Sequence, residues 1–169
     1  SGHIEKMEID NDKMEMVFYD VTASGTSQHI EKAMLTEHNN TGMSVTMKDV
    51  SSSGIQYENG KPVLGDNVSF EVKSMDINTD DLSEKIPKLS QLGENPFNGI
   101  SLKVLWQYDE SKKTTDFNFS MNLDDYAGFS FEAGMSNVSR EVINPDLVQN
   151  MNQSQALTLV KDIEFRNAS

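Results

Sequence analysis

Strict alternation of apolar and polar residues is the feature of this sequence that most restricts its fold. Three successive runs between residues 100 and 136 alternate in this way, and a period of two places the apolar side chains of a strand on one face. Their apolar positions are Ile100, Leu102, Val104, Trp106 and Tyr108, then Thr115, Phe117, Phe119, Met121 and Leu123, then Phe129, Phe131, Ala133 and Met135. Turn-forming residues separate the runs at 109–113 and 124–128. The sequence therefore predicts a three-stranded antiparallel meander over 100–136.

The first half of the chain contains shorter runs with the same period. Apolar residues alternate at 14–18, 43–47, 55–57 and 68–72. Asn59-Gly60 follows the third of these runs, and this dipeptide favours a type I′ hairpin because both residues accept positive φ. Each run is polar on its other face, which is typical of an antiparallel sheet with one wet side. The predicted fold class is mainly β, a curved antiparallel sheet or sandwich of amphipathic strands with two short helices.

The two helices are predicted where the alternation breaks, and they leave α+β as the alternative fold class. Residues 81–84 have the spacing of a capping box, and apolar residues follow at helical intervals as far as Leu89, although Pro87 shortens or kinks this helix. Asn144-Pro145 supplies an N-cap and a proline at the first helical position. The apolar residues between 157 and 165 predict a last strand with a phase break.

Length and charge limit the domain organisation and the classes of partner. The 169 residues suit a single domain, placed at 4–169, whose core is large enough to be stable without disulfides or structural metals. The absence of cysteine from the sequence excludes disulfides, zinc-thiolate sites and thiol catalysis. With 14 basic and 27 acidic residues the formal charge is −13, so the phosphates of nucleic acids and of anionic membranes repel the chain. We expect no nucleic-acid partner.

Residues 14–25 and 43–54 match without a gap and predict an internal repeat. The matching pairs are Met14/Met43, Asp20/Asp49, Val21/Val50, Ser24/Ser53 and Gly25/Gly54. A repeat of this length is typical of stacked β architectures, whereas two similar amphipathic strands provide the simpler explanation.

The start of the sequence, Ser1-Gly2-His3, is typical of a cloning remnant. We therefore expect a domain excised from a larger, membrane-anchored protein.

In its strand rhythm the chain resembles bacterial YdgA-like envelope proteins and, more distantly, AsmA-type β-repeat proteins. The resemblance is carried by Val45–Val50 followed by Gly54, and by Phe117–Leu123, Gly128–Met135, Asn137-Val138 and Leu157–Phe165. It spans about residues 40–166 and brings no catalytic residue with it. It implies a periplasmic or extracellular location behind one membrane anchor.

Motifs of catalysis and metal binding are missing or incomplete in the sequence. It contains no G-x-S-x-G, H-E-x-x-H, G-x-G-x-x-G or P-loop pattern. His29 and His38 are too far apart for a helical metal pair, so a zinc site that includes Glu31 has no support and both histidines are interpreted as residues of a solvated loop or surface helix. Asp76–Asp81 begins like an EF-hand loop but lacks glycine at its sixth position and glutamate at its twelfth. We expect no enzyme, no metal and no cofactor.

Ten methionines, many of them in predicted strands, are the remaining unusual feature. Because methionine adapts to irregular gaps, filling of the core is the first interpretation, ahead of a copper(I) site. The same rows of Met and Phe would also line an open groove for an acyl chain. The expected function is a non-catalytic structural or protein-interaction module of a larger cell-envelope protein, whose partners are other envelope proteins or the same full-length chain. The alternative is a lipid or apolar-ligand binding domain.

Overall fold

Nine antiparallel strands in chain order make up most of the described part of the chain. The computed structural model describes residues 1–38, 43–58, 61–78, 97–124, 127–140, 142 and 153–168. The strands are β1 Gly2–Asp10, β2 Met14–Ser24, β3 Ser27–Glu37, β4 Ser44–Glu58, β5 Lys61–Asn78, β6 Ile100–Asp109, β7 Thr114–Leu123, β8 Ala127–Ser136 and β9 Glu164–Ala168. Each strand pairs with the one before it, and a helix, α1, spans Gln153–Val160.

The prediction of a mainly β fold is confirmed, and of the two predicted architectures the chain adopts the single sheet. Within the described residues β1 and β9 lie at opposite edges and do not pair, so the sheet is open. The chain exposes 11375 Å² of accessible surface, whereas a compact monomer of 18.9 kDa exposes roughly 8,300 Å². Exposed side chains lie on both faces of the sheet, for example Phe129 on one face and Ser130 and Glu132 on the other.

The predicted meander over 100–136 is confirmed as β6, β7 and β8. The turn between β6 and β7 is held by Asp109, whose Oδ1 accepts hydrogen bonds from the Ser111 hydroxyl (2.6 Å) and the Lys112 amide (3.1 Å). The predicted hairpin in the first half is also formed, since Glu58 pairs with Lys61. The type I′ geometry predicted for the two residues between them lies outside the described residues.

The prediction of a last strand is wrong for its first half. Residues 157–160 belong to α1, and only β9 agrees with the predicted strand. The segment is rich in Gln, Ala and Leu, which favour helix, and the Thr158 hydroxyl donates to the Ser154 carbonyl four residues earlier (2.9 Å). Leu157 and Val160, three residues apart, share a helical face. The helices predicted at 81–89 and 144–151 lie outside the described residues.

The polar stretch that contains His29 is a strand and not the solvated loop or surface helix predicted for it. β3 pairs with β2 on one side and with β4 on the other. Its apolar residues Ile30, Ala33 and Leu35 are separated by three residues and then by two, so a strict period of two is not visible in the sequence. The extra residue between Ile30 and Ala33 belongs to a break in the alternation that β3 shares with its neighbouring strands.

A break in the alternation crosses the first five strands at one level of the sheet. At this level two successive apolar residues of each strand are three positions apart instead of two. The pairs are Ile4 and Met7 in β1, Phe18 and Val21 in β2, Ile30 and Ala33 in β3, Met47 and Val50 in β4, and Val72 and Met75 in β5. Asp20 and Asp49 lie at the break in β2 and β4, with φ of 49° and 51°. Aspartate is among the few residues other than glycine that adopt this left-handed conformation, because its short side chain bonds locally.

The pairing of β5 with β6 shows that the break keeps the apolar residues on one face. Ile100 and Leu102 are two residues apart in β6 and therefore share a face. Ile100 pairs with Met75 and Leu102 with Val72, and a register shift in β5 absorbs the extra residue between these two pairs. Cross-strand partners lie on the same side of a sheet. The rows on both sides of the break thus form one surface, defined by the Met75–Ile100 and Val72–Leu102 rows and called the apolar face below.

The left-handed backbone at Asp49 leads to a stability prediction. We expect Asp49→Ala to lower the free energy of unfolding by about 1 kcal/mol, because alanine has no local bond to offset the strain of positive φ. Asp49→Gly removes the same carboxylate without that strain and should stay within about 0.5 kcal/mol of the wild-type value. Urea denaturation of the two variants provides the measurement. Equal stability of the alanine and glycine variants would contradict a conformational role for this position.

The two segments of the predicted repeat share backbone conformation at two matching positions. Gly25 (58°) and Gly54 (83°) have positive φ, as do Asp20 and Asp49. Their settings differ, since Gly25 lies in the turn between β2 and β3 whereas Gly54 lies inside β4 at a register shift against β5. The internal repeat remains a prediction.

The best-buried cluster lies at the end of β6 and β7, beneath the segment that follows β8. Val138 and Thr115 are each 1 % exposed and Tyr108 is 5 % exposed. The Tyr108 hydroxyl donates to the Val138 carbonyl (3.1 Å), and the Val138 amide donates to the Lys113 carbonyl (2.9 Å). The Arg140 guanidinium lies over the Tyr108 ring, 5.3 Å from its centroid. The segment after β8 thus covers this end of the apolar face.

Candidate functional site

The largest continuous part of the apolar face is formed by three rows of side chains across β5–β8. The rows are Val72–Leu102–Met121–Phe129, Phe70–Val104–Phe119–Phe131 and Val68–Trp106–Phe117–Ala133. No position in these rows carries a charge. Because β6, β7 and β8 alternate without interruption, each contributes every second side chain to the same surface.

The aromatic rings of this surface are packed against one another. The centroids of Phe117 and Phe131 are 6.4 Å apart with the rings tilted by 55°, and those of Phe119 and Phe129 are 6.0 Å apart with a tilt of 57°. Tilted pairs at this separation are favourable because the positive edge of one ring meets the negative face of the other. The rings therefore form an ordered surface and not a set of independent side chains.

Large apolar side chains that are exposed on the described strands all lie on the apolar face. They are Ile4, Ile9, Met14, Phe70, Phe129, Phe131 and Phe165. Phe129 is 56 % exposed and Phe165 is 77 % exposed. Single exposed apolar residues are common on soluble proteins. Within the three rows Phe70, Phe129 and Phe131 are exposed, the other positions are half-buried, and Val72 is 3 % exposed.

Methionine contributes to the same surface. The strand methionines on the apolar face are Met7, Met14, Met16, Met47, Met75, Met121 and Met135, and Met34 lies on the other side. They are distributed along the rows of six strands. Their flexible thioethers suit a surface that adapts to its contact.

The opposite face of the sheet is mainly polar. On β7 and β8 it presents Asn118, Ser120, Ser130 and Glu132, with Leu105 on β6 as an apolar exception. Part of this face is a concave region of about 410 Å³ lined by Glu71, Lys103 and Ser130, among others. The contrast between the two faces is the amphipathic pattern that the sequence predicted.

The histidines do not come together. Nε2 of His29 lies 3.8 Å from Asp49, Nε2 of His38 lies 2.8 Å from Asp10, and His3 is 3.1 Å from Asp20. Each imidazole therefore has its own carboxylate neighbour. Glu31 does not join His29 and His38 in a zinc site, and the described part of the chain contains no group of three potential ligands that could hold a metal ion.

Two further concave sites are lined mostly by polar residues. One of about 710 Å³ lies at one end of β1–β4 and is lined mostly by serines, with Gln28, His3 and His29. The other, of about 570 Å³, lies beside the β6–β7 turn and contains Asp66, Asp109 and Asp116.

The three aspartates of the second concave site are held in ion pairs. Asp66 pairs with Arg140, Asp109 with Lys112 at 2.8 Å, and Asp116 with Arg166 at 2.7 Å. The hydrogen bond from the Lys112 ammonium, together with those from the Ser111 hydroxyl and the Lys112 amide, holds the pKa of Asp109 well below its ordinary range. These groups stabilise the turn and the neighbouring loops.

The aspartate-rich stretch at 76–81 lies partly outside the described residues. Asp76 is at the end of β5, where its Oδ1 accepts a hydrogen bond from the Gly99 amide (2.8 Å). Its carboxylate thus fixes the chain that enters β6. The candidate functional site is the apolar face.

Sequence reasoning found the C-terminal half of this face and missed how far it extends. The rows across β6–β8 follow directly from the alternation at 100–136. The continuation of the Val72–Leu102 row into β1–β4 was hidden because the break at Asp20 and Asp49 disrupts a strict period of two. Aspartate directly before a β-branched residue, as in Asp20-Val21 and Asp49-Val50, was the available signal.

Helices in the described residues lack the length and hydropathy needed to span a bilayer. No protein-family model, curated protein or solved structure matches the chain.

Proposed function

We propose that this domain is a non-catalytic protein-interaction module of a larger bacterial cell-envelope protein and that it binds through its apolar face. The observation that carries the proposal is the uncharged aromatic surface of β5–β8, on which Phe129 and Phe131 are 56 % and 37 % exposed. Aromatic side chains and methionine are enriched at the centres of protein interfaces, where charged residues are depleted.

Several paired polar groups favour the same proposal. The aspartates of the β6–β7 site are paired with Lys112, Arg140 and Arg166, and the three histidines each have one aspartate neighbour. Catalysis requires a nucleophile or an acid–base pair aimed at an open position. The apolar face, by contrast, has surface that gains free energy when it leaves water.

The envelope location rests on the strand rhythm that the chain shares with YdgA-like proteins. A domain with an apolar face needs a partner close at hand, and a place within a longer anchored chain or beside other envelope proteins supplies one. The strongly acidic charge of −13 keeps such a domain soluble while the face is free.

Photo-crosslinking from the two faces of β8 tests the proposed function. The chain is secreted into the periplasm of a Gram-negative host with p-benzoylphenylalanine in place of Phe131 or, as the matched control, in place of Ser130. The two positions are neighbours in β8 and both are exposed, but they point to opposite faces. We expect ultraviolet light to link the probe at 131 to a polypeptide, identified by mass spectrometry, and the probe at 130 to give no such product.

The crosslinking result also has a clear contrary outcome. Equal yields from the two positions, or no polypeptide product from 131, would contradict binding through the apolar face. A product between 131 and another part of the full-length chain supports the proposal, because an intramolecular partner is still a protein partner.

Lipid binding is the second candidate function. It is favoured by the length of the uncharged rows, since an acyl chain requires a continuous apolar track. Native mass spectrometry of the purified chain separates the two candidates. Co-purifying acyl chains that Phe131→Asp abolishes would support the lipid carrier, and a bare protein mass would argue against it.

A further inference from the structure

We infer that Asn98 is a site of spontaneous covalent modification and that the Asp76 carboxylate restrains this reaction in the folded chain. The modification is deamidation, in which an asparagine followed by glycine converts through a cyclic imide to aspartate and isoaspartate. Asn98 is followed by Gly99, and the pair lies directly before β6. The inference is independent of the proposed function, because it concerns neither the exposed rings nor a partner.

The reaction needs only groups of the chain and water. The Gly99 amide nitrogen loses its proton to solvent base and attacks Cγ of the Asn98 side chain, and the side-chain nitrogen leaves as ammonia. Water then opens the cyclic imide. Cleavage between Cγ and the Gly99 nitrogen gives aspartate, whereas cleavage between the main-chain carbonyl carbon of Asn98 and that nitrogen gives isoaspartate. The net change is the uptake of water and the release of ammonia.

The setting of Asn98 meets the requirements of this reaction. Its side chain is exposed, so the water that opens the imide can reach it. Gly99 has no Cβ that would obstruct the approach of Cγ to its nitrogen. Neither residue is part of a described strand, because β6 begins at Ile100. The Gly99 amide is therefore held by a side chain and not by the hydrogen bonds of the sheet.

Asp76 holds the nucleophile of the reaction. Its Oδ1 accepts a hydrogen bond of 2.8 Å from the Gly99 amide. The amide must lose its proton before it attacks, and a carboxylate that accepts this hydrogen bond stabilises the protonated nitrogen over its anion. The neighbouring backbone is also fixed, because the Ile77 amide donates to the Phe97 carbonyl (2.9 Å). The Gly99 N–H group thus points to Asp76 while the end of β5 is in place.

A second carboxylate adds to the restraint. A Cβ built on Gly99 would lie 3.2 Å from Cβ and 3.3 Å from Oδ2 of Asp124, so this side chain lies beside the same peptide unit. Negative charges close to a group disfavour its anionic form. Asp76 and Asp124 together therefore oppose formation of the Gly99 amide anion. The fold slows the step that the sequence Asn98-Gly99 favours.

Peptide mapping of the purified chain tests the inference. Folded wild-type and Asp76→Ala chains are incubated at neutral pH and digested with trypsin, and the fraction of deamidated Asn98 is followed by mass spectrometry. We expect Asn98 to react about 10-fold faster in Asp76→Ala, because the hydrogen bond to a charged acceptor is lost. Asp76→Asn keeps a side-chain oxygen that accepts the Gly99 hydrogen bond, and its rate should fall between the other two.

A second Asn-Gly pair in the same chain provides the control. Asn59-Gly60 directly precedes β5, whereas Asp76 lies near the other end of that strand. The rate at Asn59 should be the same in the wild type and in Asp76→Ala. Far-ultraviolet circular dichroism shows whether the variant keeps the β spectrum. In a folded Asp76→Ala chain, an equal increase at both asparagines would overturn a specific role of Asp76.

A comparison within the wild type decides the inference if Asp76→Ala does not fold. Urea breaks the bond between Asp76 and Gly99, so Asn98 should react about 10-fold faster in the urea-denatured chain than in the folded one. Equal rates at Asn98 in the folded and denatured wild type would overturn the inference. Equal rates in folded wild type and folded Asp76→Ala, or an Asn98 that stays intact in urea, would overturn it as well.

Discussion

Gly54→Ala is expected to lower the free energy of unfolding by about 3 kcal/mol or more, the largest effect of any single added methyl group considered for this chain. A Cβ at this position would lie 1.7 Å from the Asn67 carbonyl oxygen and 2.7 Å from its carbon. Both are backbone atoms and cannot rotate away. The positive φ of 83° adds conformational strain of about 1–2 kcal/mol for a residue with a side chain. Overpacking of a close backbone contact accounts for the rest.

Gly25→Ala provides the matched control for this prediction. Gly25 also has positive φ, but nothing lies within 4 Å of a Cβ built there. It should therefore show the strain alone, about 1 kcal/mol. Urea denaturation of both variants measures the difference. If the two substitutions cost the same, the close approach of β5 to Gly54 does not contribute to stability.

Tyr108→Ala should be comparably harmful, with a loss of about 3–5 kcal/mol. The ring is 5 % exposed and its hydroxyl bonds the carbonyl of Val138, which is itself 1 % exposed. Removal of the ring opens a cavity in the best-buried cluster of the described residues and removes the surface on which Arg140 lies. Thermal and urea denaturation give the measurement.

Tyr108→Phe separates the two contributions of this side chain. It keeps the ring but leaves the buried Val138 carbonyl without its hydroxyl donor, which should cost about 1 kcal/mol. Lys103→Ala, at an exposed position in the same strand, should stay within about 0.5 kcal/mol of the wild type. A loss in Tyr108→Ala no greater than that of Lys103→Ala would show that the cluster does not anchor this end of the sheet.

These two stability predictions concern close contacts within the chain and not the exposed rings of the apolar face. Gly54 lies where β4 and β5 shift register, and Tyr108 lies where the chain after β8 folds back over β6. Phe129 and Phe131, by contrast, are exposed. The proposed binding function requires such side chains, because those that contact a partner cannot also be buried by their own chain.

Much of the second half of the fold was predictable because its signal is local. Apart from Leu105, each strand from Ile100 to Met135 alternates between apolar and polar residues, and turn-forming residues separate the strands. Antiparallel neighbours joined by short turns need no information from distant parts of the chain. The prediction of the β4–β5 hairpin at Asn59-Gly60 succeeded for the same reason.

The first half was harder to predict because its pattern depends on pairing. The step of three residues from Phe18 to Val21 resembles a strand end when a single strand is considered. The apolar residues on the two sides of this step form one continuous face only when the neighbouring strands make the same step, with Asp20 and Asp49 in the left-handed conformation. The error at Leu157 and Leu159 had a different cause, since two leucines two residues apart suit a strand as well as one turn of a helix.

By itself the sequence determined that this chain forms amphipathic antiparallel strands, since the period of two and the turn residues act within a few positions of one another. Only the tertiary structure decided that the strands make one open sheet, that the break at Asp20 and Asp49 leaves its apolar residues on a single side, and that Phe129 and Phe131 remain exposed there. Alternation specifies that a strand has an apolar side. Whether that side is covered depends on a second layer, and a second layer is a property of the assembled fold.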